Sequence, residues 1–335
     1  MRDIAQDVGV STGTVSVVLN GARSGTSVAD RTREAIHASA RRLGYRPNWV
    51  AKSLQGGRTR TIGIIPTQAG QDFLLGPYLQ RVLNAIANVL AAEHHDMLIL
   101  TRCDQSDAEG ILQGVVNGRI DGAIVVAPRS DSRLVETLDA AGFPFVVIDG
   151  VPGEHAASFE VDDAEGTRLG FEHLRALGHE GIAYVAGPQS IPSARKRLQA
   201  FHEAFGPGEP RVAYGDYTIA SGAAALRVIL AAGEPPTAVL CANDEMATGA
   251  MRAAREAGLD IPADLSIVGF DDSPGAADLQ PPLTTYAQPV DLLASAAATA
   301  ILGALDRFVP VCGKTFPGHL VIRESTDRPK KDRQQ

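Results

Sequence analysis

Cysteine is scarce. The 335 residues hold three, Cys103, Cys241 and Cys312. A sparse, odd set without metal-ligand spacing excludes a disulfide framework or a cysteine-built metal site and fits reduced thiols. Cys241 lies in the apolar run Ala-Val-Leu-Cys-Ala and reads as core. No apolar run approaches the ~18 residues that mark a membrane span. The N-terminus is polar and of helical pattern, so no secretion leader is expected and the chain is expected to be cytoplasmic. Nucleotide-binding glycine arrays are missing too: the first strand runs into Ile-Pro-Thr-Gln-Ala-Gly70, neither G-x-G-x-x-G nor a P-loop. No motif assembles a Ser/His/Asp or Cys/His set or a metal constellation. Neither catalysis nor a cofactor or metal is expected.

Charge is present but unevenly placed. The whole chain is net −8, yet residues 1–60 carry ten Lys/Arg against four Asp/Glu, while residues 61–335 are net −14. A basic head on an acidic body fits a nucleic-acid reader joined to a soluble sensor; a solvated basic surface would give the same asymmetry. The first twenty residues favour the reader. Ile4, Ala5 and Val8 recur at helical spacing, Gly9 breaks the pattern, and Ser11 can cap a second helix. There Val15, Val18 and Leu19 face one way, while Thr12, Gly13, Ser16, Val17 and Asn20 face the other. Two short helices about a glycine turn, one with a small and polar outer stripe, make a helix-turn-helix fit for the major groove. A third helix is expected from about Ser27 to Leu43, opened by a capping-box-like Ser27-Val-Ala-Asp30, with Ile36, Ala40 and Leu43 as its buried stripe.

Pro47 and Gly56-Gly57 bracket about two further turns, too short to be stable alone in water and suited to a linker that folds against a partner. From Thr61 onward short apolar runs alternate with amphipathic segments. Ile62–Ile65, Met97–Leu100, Ala123–Ala127 and Phe145–Ile148 form one set of strands; Ile182–Ala186, Ala238–Ala242 and Ser266–Phe270 form another. This texture predicts parallel, doubly wound sheets in two lobes. The expected division is an all-α helix-turn-helix head over 1–46, a hinge helix and linker over 47–58, and a two-lobed α/β core over 59–335. The polar stretch after Glu324 is expected to fray.

Several segments together resemble the lactose/galactose repressor family of bacterial transcription regulators. They are Asp3-Ile-Ala through Gly-Val-Ser11, Thr-Val-Ser16 and Leu-Asn20; Leu-Gly-Tyr-Arg-Pro-Asn48; Ser-Leu54 before Gly-Arg-Thr-Arg-Thr-Ile-Gly63; Ile-Asp-Gly122; His-Leu174 with Leu-Gly-His179; Ala-Asn-Asp244; Val-Gly-Phe-Asp-Asp272; Pro-Pro-Leu-Thr-Thr285; and Ile-Arg-Glu-Ser325. The resemblance implies a core similar to periplasmic sugar-binding proteins. It places Thr12 and Gly13 at the base-reading start of the second helix and Thr14, Ser16 and Asn20 near phosphates. Val17 stands where the family usually carries Arg, which replaces a bidentate guanine contact by an apolar one. Leu54 matches a wedge that enters the minor groove and kinks the duplex, with Tyr45, Asn48, Ala51 and Lys52 near the backbone or groove floor. The family usually has residues before the position of Met1, including a helix cap. The resemblance therefore implies a native start upstream or a head partly disordered without DNA.

For a small-molecule effector the candidates follow strand ends, where doubly wound sheets open their crevice. Asp149 follows Phe-Val-Val-Ile, Asn243 follows Val-Leu-Cys-Ala, and Asp271 follows Ile-Val-Gly-Phe. Asp149 reads equally well as a capping turn residue. Arg197 and Tyr217 match the family's effector-gripping arginine and stacking aromatic. Carboxylate, amide and guanidinium about an aromatic ring suit sugar hydroxyls, although a nucleobase would also be served. The implied partners are a pseudo-palindromic double-stranded operator, a carbohydrate-like effector and a second copy of the chain. A periplasmic sugar receptor, the main alternative, would lack the basic head.

Overall fold

The computed structural model describes residues 1–20, 28–45, 58–66, 76–101, 108–115, 118–307 and 312–330. The chain divides into two compact units, Met1–Arg60 and Thr61–Gln335. The expected hinge residues 47–57 lie outside the described residues.

The first unit contains α1 (Arg2–Val8), α2 (Thr12–Asn20) and α3 (Asp30–Arg42). Ile4, Ala5, Val15, Val18, Ile36 and Ala40 form its core. Gly9 ends α1 in the left-handed conformation, φ 74°, which glycine adopts without Cβ strain. Two expectations about α3 need correction. It opens at Asp30 with Ala29 as N-cap and no side-chain cap; Ser27 itself lies outside the described residues. Leu43 does not complete the buried stripe but is 47% exposed, because it is the residue that ends the helix.

The second unit holds two six-stranded sheets. The first is built from β1 (Thr61–Pro66), β2 (Asp96–Ile99), β3 (Gly122–Val126), β4 (Phe145–Ile148), β5 (Ser158–Val161) and β11 (Lys314–Phe316), in the order β11-β5-β4-β3-β1-β2. The second uses β6 (Ile182–Ala186), β7 (Val212–Tyr214), β8 (Ala238–Cys241), β9 (Ser266–Asp271), β10 (Thr284–Ala287) and β12 (His319–Val321), in the order β12-β10-β9-β8-β6-β7. All pairings are parallel except β10 with β12. In the first sheet alternate residues serve opposite faces. Ile62, Ile64, Ile124 and Val126 pack beneath α4 (Pro77–Ala92) and α11 (Val290–Arg307), whereas Ile65, Ala123 and Val125 pack with Leu134 and Leu138 of α6 (Leu134–Ala140). Helix α5 (Ala108–Val115) contributes Val115 to that second face.

In the second lobe α7 (Asp163–Ala176) pairs with α8 (Pro192–Phe205), and α9 (Ile219–Ala231) with α10 (Asp244–Glu256). The α9–α10 contact is close enough to require glycine: a Cβ at Gly249 would overlap the Ile219 carbonyl oxygen, and one at Gly222 the Met246 carbonyl oxygen. Gly249→Ala is therefore expected to lower stability by about 1–3 kcal/mol, the usual cost of overpacking, as read by denaturant unfolding. An unchanged midpoint would show that the helices separate freely.

The chain crosses between lobes three times, at Asp162–Asp163, Gln288–Pro289 and Pro317–Gly318. These crossings touch: Asp162 N donates to Phe316 O at 3.1 Å, and Gly318 N donates to the Tyr286 hydroxyl at 2.7 Å. Residues 325–330 do not fray as expected, and residues 331–335 lie outside the described residues. Ser325 is fully buried and ties Thr284 N and Ile267 O, at 2.8 and 2.6 Å, and the Asp327 backbone pairs with the Ser266 hydroxyl. Polarity misleads there because these groups satisfy backbone and hydroxyl partners at the starts of β9 and β10, inside the second sheet.

Candidate binding cleft and head surface

Four of the five cleft candidates lie where a parallel strand ends, and the fifth, Arg197, lies on a helix. Asp149 follows β4, Asp271 closes β9, Asn243 follows β8 and precedes α10, Tyr217 follows β7, and Arg197 rides on α8 after β6. Asp149, Tyr217 and Asp271 have positive φ, 50°, 71° and 127°. Non-glycine residues hold such backbone only where surroundings enforce it, commonly at binding sites.

Arg197 is the centre. It is 4% exposed. Its Nε donates to Asp163 Oδ1 at 2.7 Å and its Nη1 to the Ala242 carbonyl at 2.6 Å; Asp271 Oδ1 lies 3.9 Å from Nη1. The guanidinium sits 3.6 Å above the Phe270 ring centre. Burial opposes its charge, but Asp163, Tyr217 and Asp271 hold its pKa above the ordinary value. Asp271 is buried and accepts from Gln288 Nε2. Burial pushes its carboxyl well up against the pull of Arg197. Asp149 is 5% exposed and accepts from the Tyr78 hydroxyl at the start of α4. Burial and the charge of Asp163 raise it to about 6. Its Oδ2 thus reaches across the fold to Tyr78, which fits a cleft residue better than a local turn cap. Its Oδ1 is buried without a partner, as are Gln288 Oε1 and the hydroxyls of Tyr217, Tyr184 and Ser273.

Asn243 serves the frame. Its Oδ1 caps α10 by accepting from Met246 N at 3.0 Å, and its Nδ2 donates to Tyr217 O at 3.2 Å and Glu245 Oε2 at 2.8 Å. Tyr217 packs against Gly187, where a Cβ would come within 2.6 Å of the ring. Burial lifts its phenol to about 12. Sequence reasoning missed Tyr78, Asp163 and Gln288. Asp163 resembles an ordinary first-turn helix acid, but its neighbour Asp162 already supplies the cap, accepting from Glu165 N at 2.9 Å; the second acid was the available signal.

The lobes meet at the rim. Ser130 N donates to Ser190 O at 2.8 Å, Arg195 Nη1 donates to Ser130 Oγ at 2.5 Å, and Lys196 Nζ lies 2.5 Å from Glu160 Oε2. Arg81 of α4 reaches the carbonyls of Asp271 and Gln288 at 3.3 and 3.4 Å. Among the described residues one group has metal-ligand types together, Asp139, Glu154 and His155 on the first lobe. Asp139 accepts there from the backbone N–H groups of Glu154 and His155 at 2.6 and 3.1 Å, which gives the carboxylate a loop-fixing role.

In the head, Val15 and Val18 are buried, Thr12 and Gly13 exposed, and Thr14, Ser16 and Val17 half-buried. The outer stripe is thus the predicted one, with the side chain of Asn20 outside the described residues. Thr14 N donates to Ser11 Oγ at 3.1 Å, and the two hydroxyls are 2.9 Å apart. Ser11→Ala is expected to cost about 1 kcal/mol through loss of this cap, visible as faster amide exchange in α2. Unchanged exchange would mean that packing alone holds the helix. Tyr45 is half-buried against the head core. Asn48, Ala51 and Leu54 lie outside the described residues.

Known proteins share this arrangement. Residues 1–48 match the family described as bacterial regulatory proteins, lacI family, and residues 171–326 match the periplasmic binding protein-like domain. The regulator CelR of Thermobifida fusca is 32% identical over 96% of this chain and 96% of its own. The lactose operon repressor of Escherichia coli is 34% identical over 98% of this chain and 91% of its own. Among solved structures, the lac repressor dimer bound to operator and the anti-inducer ONPF is similar at TM-score 0.83 and 33% identity, covering 97% of this chain and 98% of that one. A CelR–cellobiose complex is similar at TM-score 0.74 and 30% identity, with the same coverage. Among the described residues no helix is long and apolar enough to cross a membrane.

Proposed function

The chain belongs to the lacI family of bacterial regulatory proteins and is a DNA-binding transcriptional regulator, and we propose that it acts as a homodimeric, cytoplasmic, non-enzymatic repressor whose grip on a pseudo-palindromic operator is set by a carbohydrate held between the core lobes. The observation that carries the effector half is the buried Arg197 set among Asp149, Asp163 and Asp271 at strand ends, with unpartnered polar atoms beside it. Such a site offers several fixed hydrogen-bonding groups, with the Tyr217 ring packed in its wall, a set suited to sugar hydroxyls. The named ligands of similar proteins, cellobiose and ONPF, fit that chemistry.

On DNA, Thr12, Gly13 and Val17 face bases, Thr14, Ser16 and Asn20 hold phosphates, Tyr45, Asn48 and Ala51 lie along the backbone or groove floor, and Leu54 is the minor-groove wedge. Effector binding favours one lobe arrangement, and the coupling is reciprocal: whatever factor the effector imposes on operator affinity, the operator imposes on effector affinity.

The test is anisotropy of duplexes selected from a random pool. Log affinity of the full chain is expected to fall linearly with log salt as cations on the head displace counterions. Residues 61–335, net −14, are expected not to bind. Retained affinity in that fragment would move the DNA site off the head.

A further inference from the structure

Five buried polar side-chain atoms among the described residues lack a partner: Asp149 Oδ1, Gln288 Oε1, and the hydroxyls of Tyr184, Tyr217 and Ser273. Asp149 and Gln288 are at the cleft. A buried polar group without a partner is costly, so this clustering describes what a ligand must bring.

The two cleft acceptors set the sign. An ionised carboxylate oxygen only accepts. Gln288 turns its Nε2 to Asp271 Oδ1. Its Oε1 is therefore also an acceptor. Both need donors from the ligand. The hydroxyls can give or take a proton and impose no preference.

Charge points the same way. Asp149, Asp163 and Asp271 are buried around Arg197, which is the only buried Lys or Arg among the described residues. Arg197 is itself engaged by Asp163 and the Ala242 carbonyl. Arg81, at the rim, is turned to the carbonyls of Asp271 and Gln288 and to Asp291. Glu245 lies half-buried beside Asn243. Above about pH 6, where Asp149 is ionised, an anionic substituent would meet that carboxylate and a guanidinium already engaged by Asp163 and the Ala242 carbonyl, and it would bring further acceptors where donors are needed.

Resting on the carbohydrate reading above, we infer that the effector is a donor-rich polyol, neutral or amine-bearing, that carries no phosphate or carboxylate group. The cleft of this chain thus separates a free sugar from its phosphate ester or its sugar acid.

The experiment is calorimetric titration of the full chain with a matched panel. Glucose, galactose, ribose and cellobiose are each set beside an amino, a phosphorylated and a carboxylated counterpart. The expected result is that a neutral or amine-bearing member binds and that its phosphate or acid counterpart binds at least ~100-fold more weakly, since it combines like-charge repulsion with unmet acceptors. A phosphorylated or carboxylated member that binds as tightly as its parent would overturn the inference. If no member binds, with or without charge, the carbohydrate reading fails and takes this inference with it. Asp149→Asn supplies a second readout: the neutral-to-anion ratio is expected to shrink at least ~10-fold as one like charge is removed. Equal weakening of both classes would overturn the part assigned to Asp149.

Discussion

Arg197→Ala is expected to destabilise the core by about 3–5 kcal/mol, the range for breaking a buried ion pair by removing one partner. The cause is what remains. Asp163 and Asp271, 3% and 5% exposed, would keep their burial and lose the guanidinium that offsets it. The Ala242 carbonyl would lose its 2.6 Å donor, and Phe270 the cation 3.6 Å above its ring. From the sequence alone the same substitution is expected to abolish the effector response with DNA binding retained. The structure adds to that expectation, because Arg197 is buried and its hydrogen bonds hold groups of the second lobe together. Denaturant midpoints of Arg197→Ala and of the double variant Arg197→Ala/Asp163→Asn separate the two roles. The double variant is expected to recover part of the lost stability, since neither buried charge of the pair is then left alone. Neither is expected to respond to effector. A single variant as stable as the parent would show that water reaches Asp163 and that the pair is not buried in solution.

Seven strands were legible because each contains a short, mostly apolar run; six of them lie inside their sheets, where cover on both faces makes that the expected pattern, and β2 is an edge strand. The other five strands have weaker local signals. β7, β11 and β12 are three residues each, and Lys314-Thr-Phe316 contains no apolar period at all. It becomes a strand because the chain passes beside β5, where Gly313 lies so close to the Ser158 backbone that a Cβ would come within 2.6 Å of its carbonyl oxygen. The lobe crossings were illegible for a related reason. Periodicity tells helix from strand but not which sheet a strand joins. Hence Gln288, at a crossing, read as an ordinary connector, although it is the residue that holds Asp271.

The candidate site was legible as a cluster where chemistry and strand ends coincide. Asp149, Arg197, Tyr217 and Asp271 converge on the cleft or its wall. Asn243 is held differently, its amide committed to the α10 cap and the Tyr217 carbonyl. Tyr78 was hidden by sequence distance: it lies 71 positions from Asp149, in the first turn of a helix whose apolar face explains most of its other residues. In the head, patterning placed the three short helices because each buries one side, but it opened α3 too early and put Leu43 in the core.

The cleft carboxylates also predict how the core responds to pH. Burial raises Asp149 from 3.8 to about 6 and Asp244 from 3.8 to about 7; Asp163, Asp271 and Glu245 move the same way. Between these values and 3.8 the folded core holds protons that the unfolded chain releases. Stability from these groups is therefore greatest in acid and is lost as pH rises through about 6 and then about 7. His173 works in the opposite sense: burial lowers its pKa, so protonation below about 6.5 favours the unfolded chain. Each proton held across one pH unit is worth about 1.36 kcal/mol, and the two carboxyls outweigh the single half-buried imidazole. The core is expected to be about 2 kcal/mol more stable at pH 5.5 than at pH 8. For a protein of this size that is a rise in melting temperature of roughly 4 °C or more. Asp149→Asn and Asp244→Asn are each expected to flatten the profile, Asp244→Asn more strongly near pH 7. Asp244 accepts from Ser273 N at 2.7 Å and Thr285 Oγ1 at 2.6 Å, contacts that an amide oxygen can share in part. Melting temperatures that climb from pH 5.5 to pH 8 in the parent chain would show that these carboxyls are charged and solvated in the fold.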